Sequence, residues 1–139
     1  SGLKIFIDNA SEGKDICIFG DPNLSRDVIY VKDVAHAFYL AMKSEQTYGL
    51  YNMTSGRGVT LQEQAEVIRD LWAPSENQKS KITYKPEIVN NTPSYLFSME
   101  KAKYDFGFVP KYADFRTMMT DYKKDLDRNK YQELFNYVK

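Results

Sequence analysis

The spacing of apolar residues in the first part of the chain predicts a helix followed by two short strands. Within residues 3–10, apolar side chains recur at intervals of three and four, which favours a short helix over a strand. Residues 16–19 form a compact apolar run that is typical of a buried strand. Residues 28–31 are β-branched or aromatic and predict a second strand after a loop rich in Gly, Pro and Asn.

Residues 34–43 have the most continuous apolar pattern and predict a helix. Asp33 precedes this segment and is placed to cap the helix by accepting hydrogen bonds from its free N–H groups. A helix that is apolar on nearly every side must be covered on more than one side. We therefore expect this helix to lie between two layers, one of them outside this chain.

The pattern in the middle of the chain predicts a strand, a capped helix and a further strand. The strands are expected at residues 48–53 and 82–84. Thr60 and Glu63 have the spacing of a capping box, in which each side chain satisfies the other residue's backbone N–H. The helix that they begin should end before Pro74.

The C-terminal part of the chain predicts three helices. Ser98 can cap a short helix that ends at Gly107. Apolar residues then line one face of a longer helix between Phe115 and Leu126, and the spacing repeats in residues 131–138. There is no internal repeat or obvious linker, so we expect residues 1–139 to form a single α/β unit with few short strands and about five helices.

Composition and charge exclude several classes of protein. Basic and acidic residues are balanced at 19 each, so no global field attracts nucleic acid or an acidic membrane. No apolar run is long enough to span a bilayer, and the start shows no secretory pattern. The single cysteine, Cys17, excludes an internal disulfide and suits a reducing compartment. We expect a soluble, cytoplasmic protein.

Two short motifs invite a catalytic interpretation, and we reject both. Gly56 and Gly58 lie between a predicted strand and a predicted helix, but the third glycine and the ribose-binding carboxylate of a dinucleotide loop are missing. Tyr39 and Lys43 have the Tyr-x-x-x-Lys spacing of a proton-transfer pair. With eleven tyrosines in the chain, about one such match is expected by chance.

The remaining candidates are single residues. His36, the only histidine, lies in the apolar helix without a second histidine or a cysteine at ligand spacing, so we predict a packing role and no metal site. Arg26 lies at the mouth of a strand, where its guanidinium could clamp a phosphate through two parallel hydrogen bonds. From the residues alone, a surface pair with Asp27 or Asp33 is an open alternative.

Four motifs in order resemble the C-terminal half of the NAD-dependent epimerases and dehydratases of the extended short-chain dehydrogenase/reductase family. They are Ile-Phe-Gly-Asp from Ile18, Arg-Asp-Val-Ile-Tyr-Val from Arg26, Tyr-Asn-Met-Thr-Ser-Gly from Tyr51, and Lys-Ala…Phe-Gly-Phe-Val-Pro from Lys101 to Pro110. The resemblance covers about residues 3–126. It implies a C-terminal fragment of the extended short-chain dehydrogenase fold without the NAD-binding Rossmann half.

The resemblance also implies a substrate, a cofactor and a set of binding residues. In such an enzyme NAD(P) takes a hydride from the sugar of a nucleotide sugar, while the catalytic residues come from the earlier half of the chain. It assigns Arg26 to the nucleotide diphosphate, and Cys17 and Phe19, through their main chain, to the base. Tyr95 and Phe97 are expected near the sugar. This chain would then bind neither cofactor nor metal and would be inactive alone.

One departure from the family pattern leaves an alternative open. The family often has a second phosphate-binding arginine before the Lys-Ala helix, whereas residues 86–97 contain no arginine and no lysine. A diphosphate would then be held by Lys81 or Lys85, or the chain is a non-catalytic nucleotide-binding or assembly module on the same scaffold. The expected partners are a nucleotide sugar and the chain's own N-terminal NAD-binding domain, with self-association through residues 34–43 in its absence.

Overall fold

The computed structural model describes residues 2–88 and 93–131 of the 139-residue chain. Five α-helices lie within these ranges: α1 (Gly2–Ser11), α2 (Val31–Lys43), α3 (Leu61–Trp72), α4 (Glu100–Phe106) and α5 (Phe115–Asp127). The strands are β1 (Ile16–Phe19), β2 (Ser25–Asp27), β3 (Gly58–Thr60) and β4 (Ile82–Lys85). A 3-10 turn at Glu76–Gln78 separates α3 from β4.

The four strands form two separate two-stranded sheets. β1 pairs with β4 in parallel, with Ile16 opposite Ile82 and Phe19 opposite Lys85. β2 pairs with β3 in antiparallel orientation, with Arg26 opposite Val59. Within the described ranges neither sheet has more than two strands, whereas a dinucleotide-binding domain has a multi-stranded parallel sheet. The α/β class with few short strands and five helices is confirmed.

The main core lies where α1, α3 and α5 pack around β1. Its fully buried members include Ile16, Ile18 and Ile68, which come from the inward faces of β1 and α3. Phe115, at the start of α5, also lies in this cluster. Burial of large apolar side chains contributes about 1.5–3 kcal/mol each, so this cluster holds the three helices together.

A second, smaller core joins α2 to α4. Ala37 from α2 packs with Ala102, Phe106 and Phe108. The other side of α2 is open, because Phe38 is 64% exposed and Met42 is 81% exposed. The expectation that one face of this helix lacks a cover within the chain is therefore met over the described residues.

Two predicted strands are wrong. A strand was predicted at residues 28–31, but the observed strand is β2 at Ser25–Asp27. Because α2 already begins at Val31, residues 28–30 form the link between β2 and α2. Residues 48–53, predicted as a strand, have no strand partner in the described part of the chain. The side chains of residues 48–53 suit a sheet, but a strand also needs a neighbouring strand with which to exchange backbone hydrogen bonds.

The predicted cap of α2 is also wrong. The helix begins one turn earlier, with Tyr30 as its N-cap residue and no capping side chain. Asp33 instead lies inside the first turn, is 1% exposed, and accepts hydrogen bonds of 2.9 Å from the backbone N–H groups of Lys111 and Tyr112. Its carboxylate therefore ties the segment before α5 to α2.

Several predicted helix ends are confirmed. The Thr60 hydroxyl accepts a 3.0 Å hydrogen bond from the Glu63 N–H, although the Glu63 carboxylate contacts Arg57 rather than completing the capping box. Gly107 ends α4 in the left-handed conformation, with φ of 70°. The Ser98 hydroxyl accepts from the Glu100 N–H, although Met99 occupies the N-cap position. The predicted last helix begins at Tyr131, and the rest of it lies outside the described residues.

A polar network holds α5 against the start of α2. The Lys32 ammonium contacts Asp121 and lies 2.7 Å from Asp125. Its hydrogen bonds to Asp121 and then to Asp125 raise the pKa of Lys32, and hydrogen bonding to Lys32 lowers the pKa of both carboxyls. Burial, together with the bond that its hydroxyl donates to Asp121, raises the pKa of Tyr30.

Candidate functional site

The segment at residues 93–97 is held against β2 by three consecutive residues of that strand. The Ser25 N–H donates to the Ser94 hydroxyl at 2.9 Å. An Arg26 Nη1 donates to the carbonyl oxygen of Pro93 at 3.1 Å. The Asp27 carboxylate accepts from the Phe97 N–H at 3.4 Å. The strand thus positions a loop that lies about 70 residues away in the sequence.

Arg26, Tyr95 and Phe97 come together at this place. The Arg26 guanidinium lies 5.6 Å from the centre of the Tyr95 ring, within the range of a cation–π contact. The Tyr95 and Phe97 rings are 5.2 Å apart. Both aromatic side chains are exposed, at 40% and 51%. These three predicted site residues therefore form one solvent-accessible group, which we call the Arg26 cluster.

The carboxylates of both aspartates that the sequence offered as partners of Arg26 bind other groups. Asp33 binds the backbone before α5, as described above. Asp27 accepts from the Thr54 hydroxyl and from the N–H and hydroxyl of Ser55, at 3.0 and 2.7 Å. Burial alone would raise the pKa of the Asp27 carboxyl, but the hydrogen bonds from Thr54, Ser55 and Phe97 outweigh it and lower the pKa.

Cys17 and Phe19 lie in the other sheet. Ile16 and Gly20 donate their N–H groups to Lys81 and Lys85 of the β4 side, at 2.9 and 3.0 Å. Because hydrogen bonds in a parallel pair use every second residue, the N–H and C=O groups of Cys17 and Phe19 point to the opposite edge of β1. In the described ranges no strand pairs with that edge.

The side chains of Cys17 and Phe19 share the outer face of β1. The inner face carries Ile16 and Ile18, which are fully buried, and alternation along the strand places Cys17 and Phe19 on the other side. Phe19 contacts the Lys85 ammonium, which lies 5.9 Å from its ring centre. In the described part of the chain, the contacts of Cys17 and Phe19 lie within their own sheet, and none of them joins these residues to the Arg26 cluster.

The two glycines of the rejected dinucleotide loop are explained by contacts within the chain. A Cβ atom added at Gly58 would collide with the Ser25 hydroxyl, and one at Gly56 would lie 2.8 Å from the terminal carbon of Met99. Gly56 also has φ of 69°, which favours glycine. The turn leads into antiparallel β3 rather than directly from a parallel strand into a helix. This connection differs from the strand-to-helix turn of a dinucleotide-binding loop.

The spacing of Tyr39 and Lys43 does bring their polar atoms together. Lys43 Nζ donates to the Tyr39 hydroxyl at 3.2 Å on the exposed side of α2. His36 lies between the two faces of the same helix, and its Nδ1 atom is buried without a hydrogen-bond partner among the described residues. The roles that we assigned to these residues, a chance match and a packing histidine, stay predictions.

One groove in the described part of the chain is lined by other residues. It has a volume of about 500 Å³ and lies between α1, α5 and residues 28–30. None of the five predicted site residues lines it. In the part of the chain that the structure describes, no cluster of three or more His, Cys, Asp or Glu side chains could hold a metal ion, and no helix is long and apolar enough to cross a membrane.

Sequence reasoning missed Asp27 and Asp33 as organisers of the site. Their carboxylates hold three segments: residues 54–55, residue 97 and residues 111–112. Most of these donors are backbone N–H groups, which every residue except proline carries. The only available signal was the position of the two aspartates, Asp27 within the Arg-Asp motif and Asp33 two residues after it, next to apolar residues.

Comparison with known proteins gives the class of the chain. Residues 2–54 match the model of the NAD dependent epimerase/dehydratase family. The chain is thus related to this family, and the resemblance seen in its sequence is confirmed.

Individual relatives agree with this class. The chain is 31% identical to UDP-glucose 4-epimerase of Halalkalibacterium halodurans over 116 residues, and 27% identical to dTDP-4-dehydro-6-deoxyglucose reductase of Escherichia coli over 108 residues. These alignments cover 75% and 78% of the chain, but the chain spans only about a third of each relative. It also resembles UDP-glucose 4-epimerase of Thermotoga maritima, solved with UDP-glucose, with 26% identity and a TM-score of 0.69 over 91% of this chain and 40% of that one.

Proposed function

We propose that this chain is the substrate-binding portion of an NAD-dependent sugar-nucleotide epimerase or dehydratase, and that it orients a nucleotide sugar for hydride transfer. The observation that carries the proposal is the Arg26 cluster, in which a guanidinium and two exposed aromatic rings are held together by β2. A cation suits a phosphate, and aromatic rings suit the apolar faces of a sugar or base.

In this proposal each predicted site residue has one task. Arg26 binds the diphosphate, and Tyr95 and Phe97 form a wall beside the sugar. The unpaired edge of β1 presents the main-chain N–H and C=O groups of Cys17 and Phe19 to the base, in the same way that an exposed sheet edge binds an additional strand. Binding energy from the nucleotide then positions the sugar, which is the part that reacts. The UDP-glucose present in the Thermotoga maritima structure supports this substrate class.

NAD would be bound by a separate N-terminal domain of the same protein. The described residues offer no fitting dinucleotide loop, and the curated relatives are more than twice as long as this chain. The exposed apolar face of α2 is the surface that we assign to that domain, since Phe38 and Met42 are largely open to solvent. The chain alone is then inactive and self-associates through α2.

A titration tests the role of Arg26. The full-length protein as encoded is titrated with UDP-glucose by calorimetry, as wild type and as Arg26→Ala. Loss of a charge-assisted contact costs about 1.5–3 kcal/mol, so we expect an affinity roughly 10- to 150-fold lower. Arg116→Ala is the control, because this arginine is exposed on α5 and pairs with Asp70. Equal affinity in wild type and Arg26→Ala would refute the assignment.

A second candidate function is a non-catalytic nucleotide-binding or assembly module. It is favoured by one observation, the absence of arginine and lysine from residues 86–97. Turnover decides between the two. A full-length protein that binds UDP-glucose but shows no epimerase, dehydratase or reductase activity with NAD(P) would favour the module.

A further inference from the structure

The sequence leaves two lysines as replacements for the missing arginine, and the sheet separates them. Lys81 lies just before β4, where its carbonyl accepts from the N–H of Ile16 at the start of β1. Lys85 lies at the other end of β4, opposite Phe19, and its carbonyl accepts from the Gly20 N–H. At about 3.3 Å per residue, the two lysines are roughly 13 Å apart along the strand.

Only Lys85 lies at the carboxyl end of β1, opposite Phe19, one of the two residues whose main chain is proposed to bind the base. Residues opposite each other in the ladder face the same side, so Lys85 shares the outer face with Phe19. The Lys85 ammonium lies 5.9 Å from the centre of that ring. In the described part of the chain it forms no ion pair with a carboxylate.

A short turn connects this end of β1 to Arg26. The Leu24 N–H donates to the Asp21 carbonyl at 3.2 Å, as in a β-turn, between β1 and β2. Lys85 thus stands beside the strand end that enters the turn, and Arg26 lies in the strand that leaves it. The two cations flank one loop.

We infer that Lys85, rather than Lys81, supplies the second positive charge to the phosphates of a nucleoside diphosphate bound at this site. The inference rests on the proposed function and adds the residue that replaces the missing arginine. The contact with Phe19 orients the ammonium while leaving it available, since a cation–π contact at an exposed site is weak and a phosphate oxygen is a better partner.

Three ligands separate the phosphate role from a base role. The full-length protein is titrated with UDP, UMP and uridine by calorimetry, as wild type, Lys85→Gln and Lys81→Gln. Both substitutions keep the side-chain stem and remove the charge, and circular dichroism checks that the fold is retained. We expect Lys85→Gln to weaken UDP binding about tenfold, to reduce its salt dependence, and to leave uridine binding unchanged. Lys81→Gln should match wild type.

Each of the other outcomes would contradict this inference, the proposed function, or both. Unchanged UDP affinity in Lys85→Gln, together with a loss in Arg26→Ala, would overturn this inference and leave the proposed function standing. An equal loss for uridine and UDP would assign Lys85 to the base and overturn its phosphate role. A loss in Lys81→Gln equal to that in Lys85→Gln would also contradict it. A wild-type protein that binds no UDP would overturn the proposed function and this inference together.

Discussion

Removal of the Asp33 carboxylate should be among the most destabilising single changes in the chain. The side chain is 1% exposed and accepts two backbone hydrogen bonds of 2.9 Å, from Lys111 and Tyr112. A hydrogen bond to a charged group contributes about 1.5–3 kcal/mol, and an unsatisfied buried donor costs a similar amount. Because both bonds end on one carboxylate, their energies do not add fully. We expect Asp33→Ala to lower the free energy of unfolding by about 3–5 kcal/mol.

The measurement is urea unfolding followed by circular dichroism. A loss of this size is a large fraction of the roughly 5–15 kcal/mol that stabilises a typical domain, so the midpoint should fall clearly while the slope stays constant. Asp33→Asn keeps one acceptor oxygen and should cost about half as much. Hydrogen exchange at the amides of Lys111 and Tyr112 should accelerate in both variants.

Asp8→Ala is the matched control for this experiment. Asp8 is an exposed aspartate on α1 that pairs with Lys4 of the same helix. An exposed pair of this kind contributes about 0.3–0.5 kcal/mol, so its loss should be barely measurable. If Asp33→Ala were within about 1 kcal/mol of wild type, the two bonds would not hold the segment before α5 to α2, and the reasoning would be refuted.

Three further predictions concern acid stability, a helix end and the open face of α2. Because the pKa of Asp27 is lowered in the folded state, its contribution is present above the unfolded value of about 3.9 and is lost as the pH falls through the folded value. The stability gap between wild type and Asp27→Asn should therefore narrow from pH 7 to pH 3 in urea titrations, and a constant gap would contradict this. Gly107→Ala should cost about 1 kcal/mol in thermal unfolding because φ is 70°, whereas Gly2→Ala, with equally open surroundings, should cost nothing. The 139-residue chain alone should self-associate in light scattering, and Phe38→Ser with Met42→Ser should reduce this; a monomeric wild type would show the prediction to be wrong.

The accuracy of the sequence-based predictions depended on the range of the interactions involved. The helices α1, α3 and α5 were predicted because their apolar residues repeat every three or four positions. Thr60 and Gly107 were predicted as helix ends because each acts on backbone groups within four residues.

The predicted strand positions were wrong because strand pairing depends on residues that are distant along the chain. Residues 28–30 have better β-forming side chains than Ser25–Asp27, yet the latter pair with β3. The pairing is decided by where residues 58–60 lie, and the turn before them has Gly56 at φ of 69°. Residues 48–53 have strand-like side chains but no neighbouring strand in the described ranges.

The candidate site was likewise predicted only in part. Its members Arg26, Tyr95 and Phe97 were predicted from the family resemblance, and the structure places them within one group. Asp27 was missed as their organiser, because all four of its hydrogen-bond donors belong to Thr54, Ser55 and Phe97, which lie far away in the chain.

The order of residues by itself determined the α/β class, the helical faces, the helix ends and the relation to the epimerases, since each of these is written in local spacing or in short motifs. Only the tertiary structure decided which strands pair, that Asp33 binds the backbone before α5, and that Lys85 rather than Lys81 lies beside Phe19. Hydrogen-bond partners and burial depend on segments that are distant along the chain, and apolar periodicity does not encode which of them meet.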